Sequence, residues 1–536
     1  MKKTLIALLL PACWGAYAGD MSYSAQVETS YINIKSDTGA SDPNSSDTFS
    51  IRPSLGLTYT ANRARASLIA NHRYLDRHVS STSVTNNSRE SNFTDYTFDA
   101  ELFAIENVLK FNARGAQTYQ NTDINNGLIN DEVFGSQQLA KTQRGTVGAT
   151  FTLPNPDYFN FSMAGNLTKV KTDRTTLGNF NLNSDNTNIT AVLSEGDEVK
   201  RVSWNITAEH RDTNGTGRND ILSKTVDGVF YVGLTDDWRF VVTGREETNE
   251  LKSDQVDTTR SLDYSSAGIG LSYFQDRGRY IDVTYNVSSR QEAQGNERDS
   301  FIGLNFNWRF SSRTSIQGNY GKRFYGRSAS FQLSHRLKKL RTQISYAENL
   351  TTFSRLIAGD TVTGTFVCAI GAVDISQCLQ PATVDYVLQP GEEFNNFDFT
   401  IPEISEEALL RKNLTMSTGY QFRRIKANLS ITHTDTEYLD SLRSQKTFNV
   451  NLALSMRFGR KSTLSWTNGY SQFDREIRDG VDDDSDTWRS GLNYNYNVSR
   501  EMSVRAGFQV VSRDSPVLTQ DFSSRRLTLG MTYKFK

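Results

Sequence analysis

The sequence predicts an all-β protein, a single large antiparallel transmembrane β-barrel of about 24 strands (about 22–26) with short periplasmic turns and long extracellular loops. Three observations predict it. Apolar and polar residues alternate with a period of two almost from end to end, short and long connections alternate along the chain, and the final strand ends in aromatic residues.

The beginning of the chain has the pattern of a secretory signal peptide. Lys2 and Lys3 precede a short apolar run that ends at the small-residue site Ala16-Tyr17-Ala18. We therefore expect residues 1–18 to be removed and residues 19–536 to form the barrel as one domain. After the signal, no apolar run approaches the roughly 20 residues that a membrane helix needs.

The composition argues against several classes of protein. Only 37% of the residues are hydrophobic and the net charge is -1. The chain is therefore too polar for a bundle of membrane helices, and its charges are too evenly balanced for a nucleic-acid-binding protein. Aromatic residues still make up 11% of the chain. In a barrel, aromatic residues near strand ends, such as Trp238 and Trp308, form girdles at the two membrane surfaces.

Individual segments show the alternation. Apolar residues at every second position face one way, and mostly small or polar residues face the other. The segments are about ten residues or slightly longer, the length of a tilted strand that crosses a bilayer. A transmembrane barrel turns its apolar side outward to lipid and its polar side inward to water. Examples of the apolar side are Leu55, Leu57 and Tyr59; Ile269, Leu271 and Tyr273; Val283, Tyr285 and Val287; and Leu492, Tyr494 and Tyr496.

Short and long connections alternate between these segments. Short turns are expected at 61–63, 235–237 and 459–461, for example, with long polar loops such as 35–48 and 121–141 between them. Outer-membrane barrels have short periplasmic turns and long extracellular loops. An even number of strands then places both termini in the periplasm of a Gram-negative cell.

The final strand, RLTLGMTYKFK, carries a pattern of its own. It resembles the C-terminal signal read by the barrel assembly machinery, with Gly530, Tyr533 and Phe535 as the matching residues. It departs from that signal at Lys536, because such chains usually end on the aromatic residue itself. We therefore expect the barrel assembly machinery to be a partner of this chain.

No catalytic, metal-binding or cofactor-binding residues are predicted. The five histidines lie in no recognisable nucleophile motif, so we expect a protein that is not an enzyme and uses no cofactor. The run DGVDDDSD at 479–486 has alternate carboxylates that could bind a hard cation, but it lacks the distal glutamate of an EF-hand loop. We interpret it as a solvated outer loop, or as one bridged by divalent ions to lipopolysaccharide.

A long acidic segment is predicted to form an extracellular loop at about 353–405. Between Leu356 and Leu410 there are nine acidic residues and no lysine or arginine. Cys368 and Cys378 also lie there, and we predict that they pair as a disulfide in an oxidising compartment. The alternative is a metal site, although the CxxC spacing typical of one is absent. The loop would cap the mouth or fold inward as a constriction, or it is a surface loop with no role in transport.

The segment from Ser315 to Arg336 reads SIQGNYGKRFYGRSASFQLSHR and is predicted to form a hairpin with an unusually short outer loop. Its period of two sends Ile316 and Tyr320 towards lipid. Arginines on the other face would attract acidic sugars to the pore wall. The side chains predicted to face the lumen are Gln317, Asn319, Arg323, Gln332 and Arg336.

At this hairpin the chain resembles the outer-membrane β-barrel family associated with PEP-CTERM/exosortase systems. The resemblance rests on GNYGKRFYG (318–326), LSHR (333–336) and SYAENLTT (345–352), while elsewhere it consists of the strand pattern alone. It implies an outer-membrane protein that is encoded with machinery for exopolysaccharide biosynthesis and export. It implies no list of functional residues.

The function expected from these patterns is a porin-like channel or accessory protein for the export of exopolysaccharide or a related secreted product. The alternatives are a sleeve that holds a partner protein and a general diffusion porin. Expected partners are outer-membrane lipids, lipopolysaccharide and polysaccharide export proteins, but not nucleic acid. We expect a monomer, because trimeric porins are usually smaller barrels.

Overall fold

Strands account for nearly all of the secondary structure. The structure is a computed structural model of the chain. It describes residues 19–36, 44–79, 90–121, 139–154, 156–173, 183–199, 201–215, 220–253, 258–276, 278–292, 295–351, 365–369, 378–379, 392–396, 408–439, 443–475, 483–516 and 521–535. No helix among these residues is long and apolar enough to cross a membrane.

The strands follow one another in chain order, and most contain between ten and twenty residues. They are β1 (Asp20–Ser36), β2 (Asn44–Thr60), β3 (Ala64–Val79), β4 (Glu90–Ile105), β5 (Leu109–Asn121), β6 (Leu139–Thr152), β7 (Phe159–Thr172), β8 (Ser184–Glu195), β9 (Val202–Gly215), β10 (Asp220–Gly233), β11 (Trp238–Ser253), β12 (Thr258–Asp276), β13 (Arg279–Glu292), β14 (Gly295–Ser311), β15 (Thr314–Arg323), β16 (Gly326–Arg336), β17 (Leu340–Thr351), β18 (Thr365–Ala369), β19 (Cys378–Leu379), β20 (Glu392–Asn396), β21 (Leu409–Phe422), β22 (Ile425–Tyr438), β23 (Ser444–Phe458), β24 (Ser462–Arg475), β25 (Asp483–Asn497), β26 (Met502–Asp514) and β27 (Phe522–Phe535).

Twenty-four of these strands form one closed antiparallel ring. β1 pairs with β2 on one side and with β27 on the other, so within the described part of the chain the sheet has no open edge. β17 pairs directly with β21. β18, β19 and β20 therefore lie outside the ring, as a separate small sheet. The predicted all-β barrel of about 24 strands is confirmed.

The exterior of the ring is apolar and its interior is polar. Leu55 is 65% exposed and Ile302 63% exposed on the outer face. The intervening positions point inwards. Ser54, which precedes Leu55, is buried there, and so is Thr284, which lies opposite Gly303 on the neighbouring strand. A soluble domain would put its large apolar side chains on the enclosed face, so this layout fits a lipid exterior and an aqueous lumen. The chain is a transmembrane β-barrel.

The two ends of the barrel differ in the length of their connections. At one end the turns are tight, as where Ala61 N donates to Ala64 O at 2.8 Å and Leu337 N donates to Leu340 O at 2.7 Å. At the other end β3 stops at Val79 and β4 begins only at Glu90. β1 begins and β27 ends at the short-turn end, which is the arrangement that an even number of strands requires.

Aromatic side chains collect near the short-turn end. The rings of Trp238 and Tyr273 lie edge to face with centroids 5.4 Å apart, and Tyr273 stacks on Trp308 at 6.3 Å. These residues come from β11, β12 and β14. They form part of an aromatic girdle of the kind that marks a membrane surface.

The long acidic loop contains β18, β19 and β20, and the backbone register places Cys368 directly opposite Cys378. The rest of 353–405 lies outside the described residues, as do the expected signal peptide at 1–18 and residues 479–482 of the acidic run.

Candidate functional site: an internal bridge in the barrel

The hairpin of β15 and β16 is formed by the two shortest strands of the ring. Its strands have only 10 and 11 residues, and the connection is Phe324 and Tyr325 alone. Gly326 follows with φ +117, a backbone conformation that glycine adopts without strain. β14 pairs with β15 only from Leu304 onwards, so the beginning of β14 extends beyond the hairpin tip.

Arg323, at the tip of this hairpin, binds Glu247 of β11. Its Nη2 donates to Glu247 Oε1 at 2.6 Å, and its Nε donates to Oε2 at 3.1 Å. β11 and β15 are four strands apart in the ring, or roughly 19 Å along the wall at about 4.8 Å per strand. Since the two side chains together cannot follow the wall over that distance, the hairpin tip leans into the lumen.

Glu247 is enclosed by charge partners. Its side chain is 0% exposed, and Arg245 Nε lies 3.4 Å from Oε2. Asn249 Nδ2 donates to Oε1 at 3.1 Å, and Arg245 Nη1 lies 3.3 Å from Asp227 Oδ1. Two guanidinium groups thus match two carboxylates. The charge of Arg323 is therefore satisfied within the protein.

Phe324 forms the apolar part of the tip. Arg290 of β13 fixes its backbone, since Arg290 Nη1 donates to Phe324 O at 2.9 Å. The ring is 5% exposed within a cluster that draws on strands to both sides of the hairpin. The cluster consists of Ile221 of β10, Tyr264 of β12, Phe324, Leu350 of β17 and Ala408, which precedes β21.

Tyr325 ties the tip to β17. Its hydroxyl donates to Glu348 Oε2 at 3.1 Å, and Tyr346 donates to the other oxygen of the same carboxylate at 2.7 Å. The Tyr325 ring meets Phe324 edge to face at 5.1 Å and lies 5.3 Å from the Arg323 guanidinium carbon.

These contacts define what we call the internal bridge, which consists of Arg323, Phe324 and Tyr325 at the tip together with Glu247. Along the ring, β10 and β21 are eight strands apart. Phe324 nevertheless packs in one buried cluster with Ile221 of β10 and Ala408, the residue before β21. The bridge therefore narrows the lumen near its long-loop end. A buried ion pair with extra hydrogen bonds holds a defined geometry well, because removing either partner leaves the other charge buried without a counter-charge.

The structure places the sequence-predicted hairpin residues as follows. Gln317 Nε2 donates to Gln332 Oε1 at 2.9 Å, and Asn319 lies opposite Ser330. These positions alternate with the lipid-side residues of the hairpin. Arg336 is exposed at the short-turn end of β16, so the structure does not bring it together with Arg323.

Sequence reasoning did not single out Glu247. The available signal was GREETNELK, in which Arg245, Glu247 and Asn249 occupy every second position and share one face of β11. That pattern gives the face. It does not give the partner, because Arg323 lies 76 residues further along the chain.

At the C-terminal strand, Tyr533 and Phe535 lie on the outer face and their rings meet at 4.8 Å. Gly530 lies between β26 and β1, opposite Arg505 and Glu28. Recognition of this strand by the barrel assembly machinery stays a prediction.

No family model and no curated relative matches the chain. Among solved structures, it is similar to the FrpB iron transporter of Neisseria meningitidis in its apoprotein form, with a TM-score of 0.47 and 8% identity over 96% of this chain and 81% of that one. It is also similar to the siderophore receptor PirA of Acinetobacter baumannii, with a TM-score of 0.46 and 10% identity over 97% and 81%. For OccAB4 of A. baumannii the TM-score is 0.32 and the identity 10%, over 96% and 98%. Likenesses this distant carry no argument about what this chain binds or transports.

Proposed function

We propose that this chain is an outer-membrane channel through which exopolysaccharide or a related secreted product leaves the cell. The observation that carries the proposal is the closed ring of 24 strands with an apolar exterior and a polar inner wall. A barrel of this size encloses a water-filled lumen unless something fills it. Its short turns and termini would then face the periplasm and its long loops the outside.

The internal bridge supports a channel over a sleeve. A sleeve needs an unobstructed interior to hold a folded partner, whereas Phe324 and Arg323 cross part of the interior and are anchored there. A general diffusion porin is the second candidate, because a narrowed polar lumen also passes small solutes. The proposal that the cargo is a polysaccharide rests on the sequence resemblance at 318–352.

Planar-bilayer recording tests the channel itself. Purified full-length protein should give stable open channels, because a continuous polar lumen conducts ions. A protein that inserts into the bilayer but stays electrically silent contradicts the proposal. Liposome swelling with sugars of increasing size then measures how wide the open path is.

Deletion of the gene tests the cargo. Export predicts that extracellular polysaccharide falls while the cell retains the polymer or its precursors, and that the wild-type gene restores secretion. Unchanged secreted polymer, together with slower uptake of small hydrophilic solutes, would identify a general diffusion porin instead.

A further inference from the structure

A cleft on the inner wall, away from the internal bridge, is lined by three arginines. It lies where the first and last strands of the ring meet, and it includes residues of β1, β3, β25, β26 and β27. The arginines are Arg73, Arg505 and Arg526, while Glu28 is the one carboxylate among the described lining residues. The lining therefore carries a net positive charge.

All of these charged groups face the lumen. Phe508 and Leu527 are 48% and 52% exposed on the lipid side, so Arg505 and Arg526, each an odd number of residues away on the same strand, point inwards. The register gives one lateral row, in which Arg505 lies opposite Gly530, Gly530 opposite Glu28, and Glu28 opposite Arg52.

The cleft has a floor of glycine and a polar rim. A Cβ added at Gly507 would lie 2.5 Å from Asn493 Oδ1, and one at Gly491 would lie 3.1 Å from Thr467 Oγ1. The absence of side chains at the two glycines thus lets Asn493 and Thr467 lie directly against the wall. Ser30, Asn493 and Gln509 supply hydroxyl and amide groups to the same lining.

Arg505 is held in place. Its Nε donates to Asn495 Oδ1 at 3.0 Å, a bond that uses one of the donors of a guanidinium and fixes the plane of the group. Arg505 of β26 lies opposite Gly530 of β27, and Arg526 precedes Gly530 by four residues. The levels of the two arginines along the strands therefore differ by roughly 13 Å, at about 3.3 Å per residue. Gly507 and Thr528 lie opposite each other midway between these levels and line the same cleft, so the two arginines reach it from opposite sides.

From this lining we infer that the arginine cleft binds an acidic sugar, whose carboxylate the guanidinium groups hold while its hydroxyls meet the amide and serine side chains. A guanidinium matches a carboxylate through two parallel hydrogen bonds. Neutral sugars lack that contact. The inference rests on the proposed channel function, because the cleft receives a solute only from a water-filled lumen.

The test is equilibrium dialysis of radiolabelled glucuronate against the purified full-length protein in detergent, with glucose as the uncharged probe. Glucuronate should bind and glucose should not. Arg505→Gln and Arg526→Gln should each weaken glucuronate binding about tenfold or more, since each removes a charge-assisted hydrogen bond. Glu28→Gln should strengthen it, because it removes the carboxylate that repels the ligand.

Arg309→Gln is the matched control. Arg309 is another inward arginine, paired with Asp276 at 3.3 Å on the opposite wall, and its loss should leave binding within about twofold of wild type. Heat-modifiable migration on gels confirms that each variant forms a barrel. Equal binding of glucose and glucuronate, or equal losses in Arg309→Gln and Arg505→Gln, overturns the inference.

The two proposals fail separately. Channels that conduct in bilayers while glucuronate does not bind leave the channel standing and refute the acidic-sugar site. Selective glucuronate binding by a protein that never conducts supports the site and refutes the channel.

Discussion

Replacing Glu247 by glutamine should release the hairpin tip. In the wild type this carboxylate accepts two bonds from Arg323, at 2.6 and 3.1 Å, and one from Asn249 at 3.1 Å. The substitution keeps the size of the side chain but removes its charge, and it leaves both Arg323 and Arg245 without their shared partner. Breaking a buried ion pair from one side costs about 3–5 kcal/mol.

That cost can be expressed as a population. At about 1.4 kcal/mol per factor of ten, a loss of this size changes the ratio of bridged to released tips by roughly a hundredfold to a few thousandfold. If the tip is released only rarely in the wild type, release becomes frequent enough in Glu247→Gln to appear as current steps. Single-channel recording should therefore show additional openings to a larger conductance.

Two further variants separate this mechanism from general damage. Glu101→Gln removes a carboxylate that pairs with the partly exposed Lys110 on the same inner face, and it should cost at most about 1 kcal/mol and leave the current unchanged. The double variant Glu247→Gln/Arg323→Gln removes both charges and should be less perturbed than Glu247→Gln alone. Glu247→Gln channels with wild-type conductance and wild-type gating would refute the bridge as a constriction.

Three other outcomes are expected. Cys368 and Cys378 should appear as one cross-linked peptide in a non-reducing digest, because their backbones lie opposite each other within the separation that a disulfide allows; two alkylated thiols would contradict this. Phe535→Ala should lower the amount of assembled barrel in the outer membrane while the protein refolded in detergent keeps wild-type stability, and equal amounts would argue against an assembly signal. Ile269→Arg, on the lipid face and 59% exposed, should cost about 2–4 kcal/mol in unfolding from lipid vesicles if it lies near the midplane, whereas Ser266→Arg, which faces the lumen, should cost much less.

The strands and their number could be predicted from the sequence because each depends on local information. A period of two tells which residues share a face, and Ile269, Leu271 and Tyr273 give that face without any partner strand. Turn positions follow from the same pattern, since alternation breaks where the chain reverses. The count of strands is the sum of these local decisions.

The internal bridge could not be predicted in the same way. The period of two puts Arg323 and Glu247 on inward faces, but it says nothing about how far a hairpin leans or which strand it reaches. Those depend on the difference in height between β15 and β14, which becomes visible only once the register is known. The expectation that Arg323 attracts a sugar overlooked a partner 76 residues away.

The arginine cleft escaped prediction for a related reason. Glu28 and Arg52 face each other across the first hairpin, whereas Arg505 lies near the other end of the sequence and joins their row only because β27 closes against β1. Each is an ordinary inward polar residue on its own strand. No local pattern shows that they are neighbours.

The pairing of β1 with β27 also constrains how the molecule forms. Thr29 Oγ1 donates to Leu529 O, 500 positions away along the chain, so the first strand synthesised has to wait for the last. Joining ends that far apart costs about 5 kcal/mol in chain entropy, which the hydrogen bonds between β1 and β27 offset only after they form. Until then, β1 and β27 each present unpaired backbone groups to any other strand nearby. We therefore expect closure of the ring to be a slow, aggregation-prone step of biogenesis, which a chaperone that shields β1 until β27 arrives would assist.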